Sequence, residues 1–193
     1  MLPEYFVFVS ALVASLGGLQ YLYLTLKGAV QPNKVSYFFW GVLPLIGFFA
    51  QQQQEVGPVI WVTLVLGIIP FIIIGAAFLN PAAYWKLHYF DYVLAAFTVF
   101  IIAVWYITNN PTLALVLAIL ADFFASLPTL IKSYQSPSSE DWRPYALNVF
   151  GFAIGILAIQ HWVFAEYAFI VYVFCMTLTI AGVILVRQKM QKI

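Results

Sequence analysis

The sequence contains very little charge. Charged residues make up 8% of its 193 residues, whereas hydrophobic residues make up 64%. Soluble domains typically carry about 25% charged residues, so a soluble fold could not hide this much apolar surface from water. The composition therefore excludes an ordinary soluble domain and predicts an integral membrane protein.

Other absences limit the expected partners, disulfide bonds and location of the protein. The net charge of +1 lacks the basic excess of nucleic-acid-binding proteins, so we expect no nucleic-acid partner. Cys175 is the only cysteine, which excludes an intrachain disulfide. The beginning of the chain, MLPEYFVFVSALVASLGG, lacks the basic stretch of a signal peptide and predicts a first span. No glycosylation sequon occurs, since Asn110 precedes Pro111, which favours a bacterial plasma membrane.

The sequence also lacks the residue patterns that catalytic, metal and cofactor sites require. No His, Cys or carboxylate group has metal-ligand spacing, and no glycine-rich loop could hold a phosphate. The two histidines fall near opposite membrane surfaces, which leaves no credible Ser/His/Asp set. The last apolar segment has no central lysine to anchor retinal. We therefore expect no enzyme, no catalytic residue, no metal and no cofactor.

Seven apolar segments approach the length of about 20 residues that a membrane-spanning helix needs. Short polar sequences rich in Gly, Pro, Asn and Ser separate them. The predicted spans are residues 4–26, 34–52, 57–79, 87–107, 112–132, 143–161 and 164–186.

The basic residues test this division independently. If seven spans alternate across the membrane, all eight Lys and Arg residues fall on one side. They are Lys27, Lys34, Lys86, Lys132, Arg143, Arg187, Lys189 and Lys192. The other side carries only Glu4, Glu55, Glu166 and His161. The positive-inside rule then predicts an outside N-terminus and a cytoplasmic C-terminus.

The chain also shows a weak internal repeat. A shift of 105 residues places Lys27 on Lys132 and Pro32 on Pro137, each pair at a turn on the basic side. A three-helix unit ends on the side opposite its start, so a second unit of the same orientation needs one extra span between them. We predict one membrane domain, 1–193, with a 3+1+3 parallel repeat. Its parts are a first bundle at 1–80, a linker helix at 81–110 and a second bundle at 111–193.

The segment SLPTLIKSYQSPSSE, residues 126–140, resembles the PQ-loop motif of the SWEET and PQ-loop transporter superfamily. That motif has a Leu-Pro-Gln step, a basic residue, a short Ser/Thr turn and an acidic residue. Thr129 replaces the Gln here, and in the first repeat Tyr23-Leu24 takes the place of the dipeptide. The resemblance implies an all-α fold of seven transmembrane helices in the 3+1+3 plan. It also implies a carrier of sugars, amino acids or vitamins, although some members are receptors.

The resemblance also implies candidate hinges. The family places hinge prolines in helices 1, 2, 5 and 6, and the corresponding residues here are Tyr23, Pro44, Pro128 and Val149. A proline removes a helical hydrogen bond and loosens the helix. Pro44 and Pro128 are therefore candidate hinges, and simple kinks without motion are the alternative.

Four polar or aromatic residues inside the spans are candidates for a solute or proton site. Asp122 lies near the centre of the fifth span, where a charge costs about 2.5–3.5 kcal/mol. It could couple protons, anchor a polar solute or fasten helices together. Asn148 can donate and accept hydrogen bonds, Gln20 is a second mid-span amide, and Trp40 could stack on a flat ligand. Helix packing is the alternative for each of the three.

Two expectations concern the basic-side loops. Ser138 or Ser139 could cap the sixth helix, with Glu140 and Asp141 favourable in its first turn. Asp91 opens the fourth span, where we expect it to meet water, and a role as a proton exit is the alternative.

The sequence thus predicts a membrane carrier of a small polar solute, working by alternating access and proton-coupled through Asp122. A ligand receptor or regulatory partner protein without transport is the alternative. The expected partners are the solute and membrane lipid, and a homo-oligomer is compatible with the sequence.

Overall fold

The computed structural model of the protein describes residues 2–108 and 110–191, and that part of the chain is helical, without strands. Two short 3-10 turns, Pro81–Ala83 and Pro137–Ser139, accompany seven α-helices. The helices are α1 Phe6–Leu26, α2 Lys34–Gln52, α3 Ile60–Leu79, α4 Tyr89–Tyr106, α5 Pro111–Gln135, α6 Trp142–Leu157 and α7 Phe164–Met190.

Each helix lies at one of the seven predicted apolar segments. Helix α2 begins and ends where predicted, α5 continues past the predicted end to Gln135, and α6 ends before its predicted end, at Leu157. Four of the helices, α1, α3, α5 and α7, are long and apolar enough to cross a bilayer. The protein therefore has the helices of an integral membrane protein, whereas α2, α4 and α6 are shorter or more polar.

Six helices pack side by side as a closed ring. Going around it, α1 packs on α3, α3 on α2, α2 on α5, α5 on α7, α7 on α6, and α6 on α1. Helix α4 lies outside the ring and packs mainly on α5. The ring leaves its central space between helices from both halves of the chain.

Contacts between helix ends show which helices run in the same direction. Asn80, after α3, donates from Nδ2 to the carbonyl of Leu26 at the end of α1, at 2.8 Å. Gln188 of α7 donates to the carbonyl of Pro137, directly after α5, at 2.9 Å. Helices α1 and α3 therefore end together, as do α5 and α7.

Other contacts join a helix start to a helix end. The backbone N–H of Leu2, before α1, donates to the carbonyl of Leu157 at the end of α6, at 2.7 Å. Thr112 at the start of α5 donates to Gln54, just after α2, at 3.3 Å. Because short loops also reverse the chain between α1 and α2, the helices α1, α3, α5 and α7 run one way and α2 and α6 run the other.

Charge is segregated between the two ends of the bundle. We call the end where α1, α3, α5 and α7 finish the basic end, and the opposite end the acidic end. Of the described residues, Lys27, Lys34, Lys86, Lys132, Arg143, Arg187 and Lys189 all lie at the basic end. The acidic end carries Glu4, Glu55, Glu166 and His161. Lys192 lies outside the described residues, and the assignment of the basic end to the cytoplasm stays a prediction.

The two halves of the chain approach each other closely where α6 meets α1. A Cβ atom on Gly151 would lie 2.8 Å from the backbone nitrogen of Ala14, so no larger residue fits there without a shift. Ser10 donates from Oγ to the carbonyl of Gly151 at 2.7 Å. The small residues of the GFAIG stretch thus let two helices touch along their backbones.

Candidate functional site

A cavity of about 100 Å³, the central cavity, lies inside the ring. Every ring helix contributes to its wall, and α4 does not. Three of the four site residues predicted from sequence line it, namely Asp122, Asn148 and Trp40. Helices from both halves of the chain therefore bring these three residues to one space.

Asp122 of α5 is buried, at 3% exposure, and its carboxylate is held from two sides. Tyr172 of α7 donates to Oδ2 at 2.8 Å, and Ser126, one turn along α5, donates to the same oxygen at 3.2 Å. Trp40 of α2 donates from Nε1 to the hydroxyl oxygen of Ser126 at 2.8 Å. Three helices thus fix the carboxylate through Oδ2, and no hydrogen bond from the described residues reaches Oδ1.

Asn148 of α6 packs against α1. A Cβ atom on Gly17 would lie 2.1 Å from Asn148 Oδ1, so only glycine admits the amide at this point. That oxygen is buried and has no hydrogen-bond partner among the described residues. A buried polar atom without a partner is costly unless water or a ligand supplies the bond.

The other three predicted residues differ in whether they line the central cavity. Pro44 of α2 is buried and lines the central cavity, whereas Pro128 is buried within α5 and does not line it. Both prolines lie inside continuous helices. Gln20 does not line the cavity either, and its Oε1 is buried without a partner among the described residues. The helix face that carries Gln20 is not the face that α1 turns to the centre.

A buried ion pair lies at the basic end. Lys132 Nζ and Glu140 Oε1 are 2.7 Å apart, and the two side chains are only 2% and 0% exposed. Lys132 also donates to the carbonyl of Gln31, in the loop between α1 and α2. Gln188 of α7 donates to the Glu140 carbonyl at 2.8 Å. One ion pair therefore links both short loops of the basic end to helices of both halves.

Three tyrosines separate this ion pair from the central cavity. Tyr21 and Tyr145 donate to Glu140 Oε2 at 2.9 and 3.3 Å. The hydroxyl groups of Tyr37 and Tyr145 are 3.4 Å apart. All three rings are buried and also line the cavity. We call Tyr21, Tyr37 and Tyr145 the tyrosine floor, because they close the cavity towards the basic end.

The acidic end of the bundle is closed differently. A buried cluster around Val62, Leu115, Phe152 and Phe169 packs there from α3, α5, α6 and α7. Phe152 also lines the central cavity. The cavity therefore lies between an apolar cluster on one side and a hydrogen-bonded floor on the other.

Two expectations for the basic-side loops were wrong. Neither Ser138 nor Ser139 caps α6, because both lie in the 3-10 turn; the N-cap is Asp141, which accepts from the N–H of Arg143 at 2.9 Å. Glu140 precedes the helix, and the turn directs it inwards to Lys132.

Asp91 does not meet water as expected. It is 5% exposed, and its Oδ1 accepts from Asn33, the residue that caps α2, at 3.1 Å. Asp91 thereby fixes the start of α4 against the start of α2, outside the central cavity.

The tyrosine floor, Tyr172 and the ion pair were all missed by the sequence reasoning. Twelve tyrosines are spread over the chain, and no spacing singles out the four that meet polar partners. The ion pair had a usable signal, since Lys132 and Glu140 carry opposite charges on the two sides of one tight turn. Among the described residues, no group of three His, Cys, Asp or Glu side chains could hold a metal.

Comparisons with known proteins give no family assignment: no family model, no curated protein and no solved structure matches the chain.

We predict that Lys132→Met destabilises the protein by about 3–5 kcal/mol, because it leaves Glu140 as an uncompensated buried charge. The double variant Lys132→Met/Glu140→Gln should recover most of this loss. Arg143→Met is the control, since the exposed Arg143 lies 3.6 Å from the partly buried Asp141 in a surface pair that should contribute less than about 1 kcal/mol. Reversible unfolding in detergent measures all three. Equal effects of Lys132→Met and Arg143→Met would contradict the prediction.

Proposed function

We propose that this protein is a membrane carrier of a small polar solute that works by alternating access. Seven spans would form two like-oriented three-helix units joined by α4, with the basic end in the cytoplasm of a bacterial cell. No enzymatic role is proposed. The observation that carries the proposal is a central cavity with polar groups, which helices of both halves line and which the hydrogen-bonded tyrosine floor bounds towards the basic end.

The order of helices around the ring supports the repeat. Around the ring, the first half follows the order α1, α3, α2 and the second half follows the order α5, α7, α6. Helix α1 packs on α6, and its equivalent α5 packs on α2. The shift of 105 residues carries each arrangement onto the other. Such a ring is what two parallel three-helix units, related by an axis along the membrane normal, would form.

Side-chain contacts follow the same shift. Trp40 of α2 donates to Ser126 of α5 at 2.8 Å. Adding 105 to Trp40 gives Tyr145, and subtracting it from Ser126 gives Tyr21, whose rings lie 5.7 Å apart between α6 and α1. Two contacts that the shift exchanges thus flank the same cavity, one at each seam between the units.

The chemistry of the two ends favours alternate opening. The basic end is closed by hydrogen bonds and an ion pair, which water can replace when the loops separate. The acidic end is closed by apolar packing, which costs free energy to expose. Pro44 and Pro128 remove one helical hydrogen bond each from α2 and α5, the helices that meet at one seam. Opposite movements of the two units would open one end at a time.

Asp122 is the proposed site of proton coupling. It is a buried carboxylate on the cavity wall, and its Oδ1 is free of hydrogen bonds from the described residues. Buried acids in membrane helices commonly relay protons or bind substrates. A proton on Asp122 at one stage of the cycle, and none at another, would tie solute movement to a proton gradient.

Labelling of a cysteine in the cavity tests alternating access without a known solute. We predict that Thr177→Cys, in a Cys175→Ser background, reacts with a membrane-impermeant thiol reagent added from either face of sealed vesicles. Thr177 lines the central cavity. Ser138→Cys, in an exposed loop at the basic end, should react from one face only. Reaction of Thr177→Cys from a single face would overturn the carrier and favour the receptor.

A second prediction concerns the coupling. Asp122→Asn should abolish uptake driven by a proton gradient and leave solute exchange intact at saturating solute, because the amide keeps the shape but cannot release a proton. Proteoliposome uptake of a solute selected from sugars, amino acids and vitamins measures both. Asp91→Asn, a buried acid outside the cavity, is the control and should keep coupled uptake. Equal coupling in Asp122→Asn and the unaltered protein would remove Asp122 from the mechanism.

A further inference from the structure

The wall of the central cavity carries an acidic residue without a basic one to balance it. Asp122 is the one acidic residue on its wall, and no Lys, Arg or His lines it in the part of the chain that the structure describes. Lys132, in the last turn of the same helix, is already paired with Glu140 at 2.7 Å. The tyrosine floor stands between that pair and the cavity. The carboxylate of Asp122 therefore has no cationic partner among the described residues.

The carboxylate is also oriented rather than free to turn. Tyr172 and Ser126 both donate to Oδ2, at 2.8 and 3.2 Å, and Trp40 supports Ser126 from the other side. Oδ1 receives none of these bonds, and Asp122 lines the cavity. The site thus presents one fixed acceptor oxygen to an occupant.

The surfaces around this acceptor suit a positive charge as well. Trp40 and Tyr37 lie edge to face, with ring centroids 4.9 Å apart, and both line the cavity with Met176. Aromatic faces attract cations, most strongly where water is excluded. Asn148 also lines the cavity, but its buried Oδ1 lies against Gly17 of α1, so the acceptor on the cavity wall is Asp122. An anion would find no basic group on this wall, and a neutral solute would leave the ionised form of Asp122 unbalanced.

We infer that the solute of this cavity is a small organic cation, an amine or a quaternary ammonium ion, whose charge pairs with Asp122 and whose apolar part lies among Trp40, Tyr37 and Met176. This inference rests on the proposed carrier function for the site, and it names the class of solute. A bound cation would give the buried carboxylate the opposite charge that it lacks, and this makes the pairing selective against neutral solutes of the same shape.

Matched pairs of probes test the charge directly. Choline is compared with its neutral carbon analogue, in which a tert-butyl group replaces trimethylammonium, and benzylamine is compared with benzyl alcohol. Binding to the purified full chain in detergent is measured by calorimetry at neutral pH. We expect at least one cation to bind about ten- to a hundredfold more tightly than its neutral partner, as hydrogen-bonded charges typically do.

Two variants locate the effect. Asp122→Asn should abolish the preference for the cation, whereas Asp91→Asn, the buried acid outside the cavity, should keep it. The inference is overturned if neither cation is preferred over its neutral partner, or if the preference survives in Asp122→Asn. A sugar or an anion that binds more tightly than both cations would overturn it too. If the cavity cysteine is nevertheless labelled from both faces, the protein is still a carrier, but of another class of solute. Failure of the cation inference can therefore be told apart from failure of the proposed carrier function.

Discussion

The basic end of this protein depends on one buried ion pair. Lys132 and Glu140 lie on the two sides of a single turn, and neither charge is exposed to water. In a low-dielectric setting each needs the other, and the remaining bonds of both must also be satisfied. Glu140 therefore accepts hydrogen bonds from Tyr21 and Tyr145, and Lys132 donates to the carbonyl of Gln31 in the α1–α2 loop. The closed basic end and the tyrosine floor follow from this one requirement.

Two sets of polar groups in the bundle have different consequences. The set around Glu140 is complete, since Lys132 balances its charge and the hydroxyl groups of the tyrosine floor have partners. The set on the cavity wall is incomplete, since Asp122 lacks a counter-charge and Asn148 Oδ1 lacks a donor among the described residues. A complete set stabilises one conformation, whereas an incomplete set stabilises whatever occupant completes it. The set at the basic end therefore closes the bundle, whereas the set on the cavity wall forms a binding site.

Much of the fold and part of the site could be predicted from the sequence, for clear physical reasons. Apolar runs bounded by turn residues predicted all seven helices. The rarity of polar groups in such runs singled out Asp122 and Asn148, and Trp40 was chosen as a ring that could stack on a flat ligand. Gln20, chosen by the same rule, does not line the cavity. Helices that are apolar on nearly every face carry little amphipathic pattern to tell which face points inwards. Glu140 was misjudged because the path of the 3-10 turn, and not the residue type, decides whether a loop acid is capping or buried.

Separation of the two loops at the basic end tests the central claim most directly. Spin labels on Lys27 and Ser138, both exposed, report the distance between the α1–α2 loop and the α5–α6 loop in a Cys175→Ser background. Pulsed electron resonance in lipid should give a short distance and a second, longer one, and Glu140→Ala should shift the population to the longer distance. A single short distance in both proteins would contradict the account, because the ion pair would then not be what holds the basic end closed.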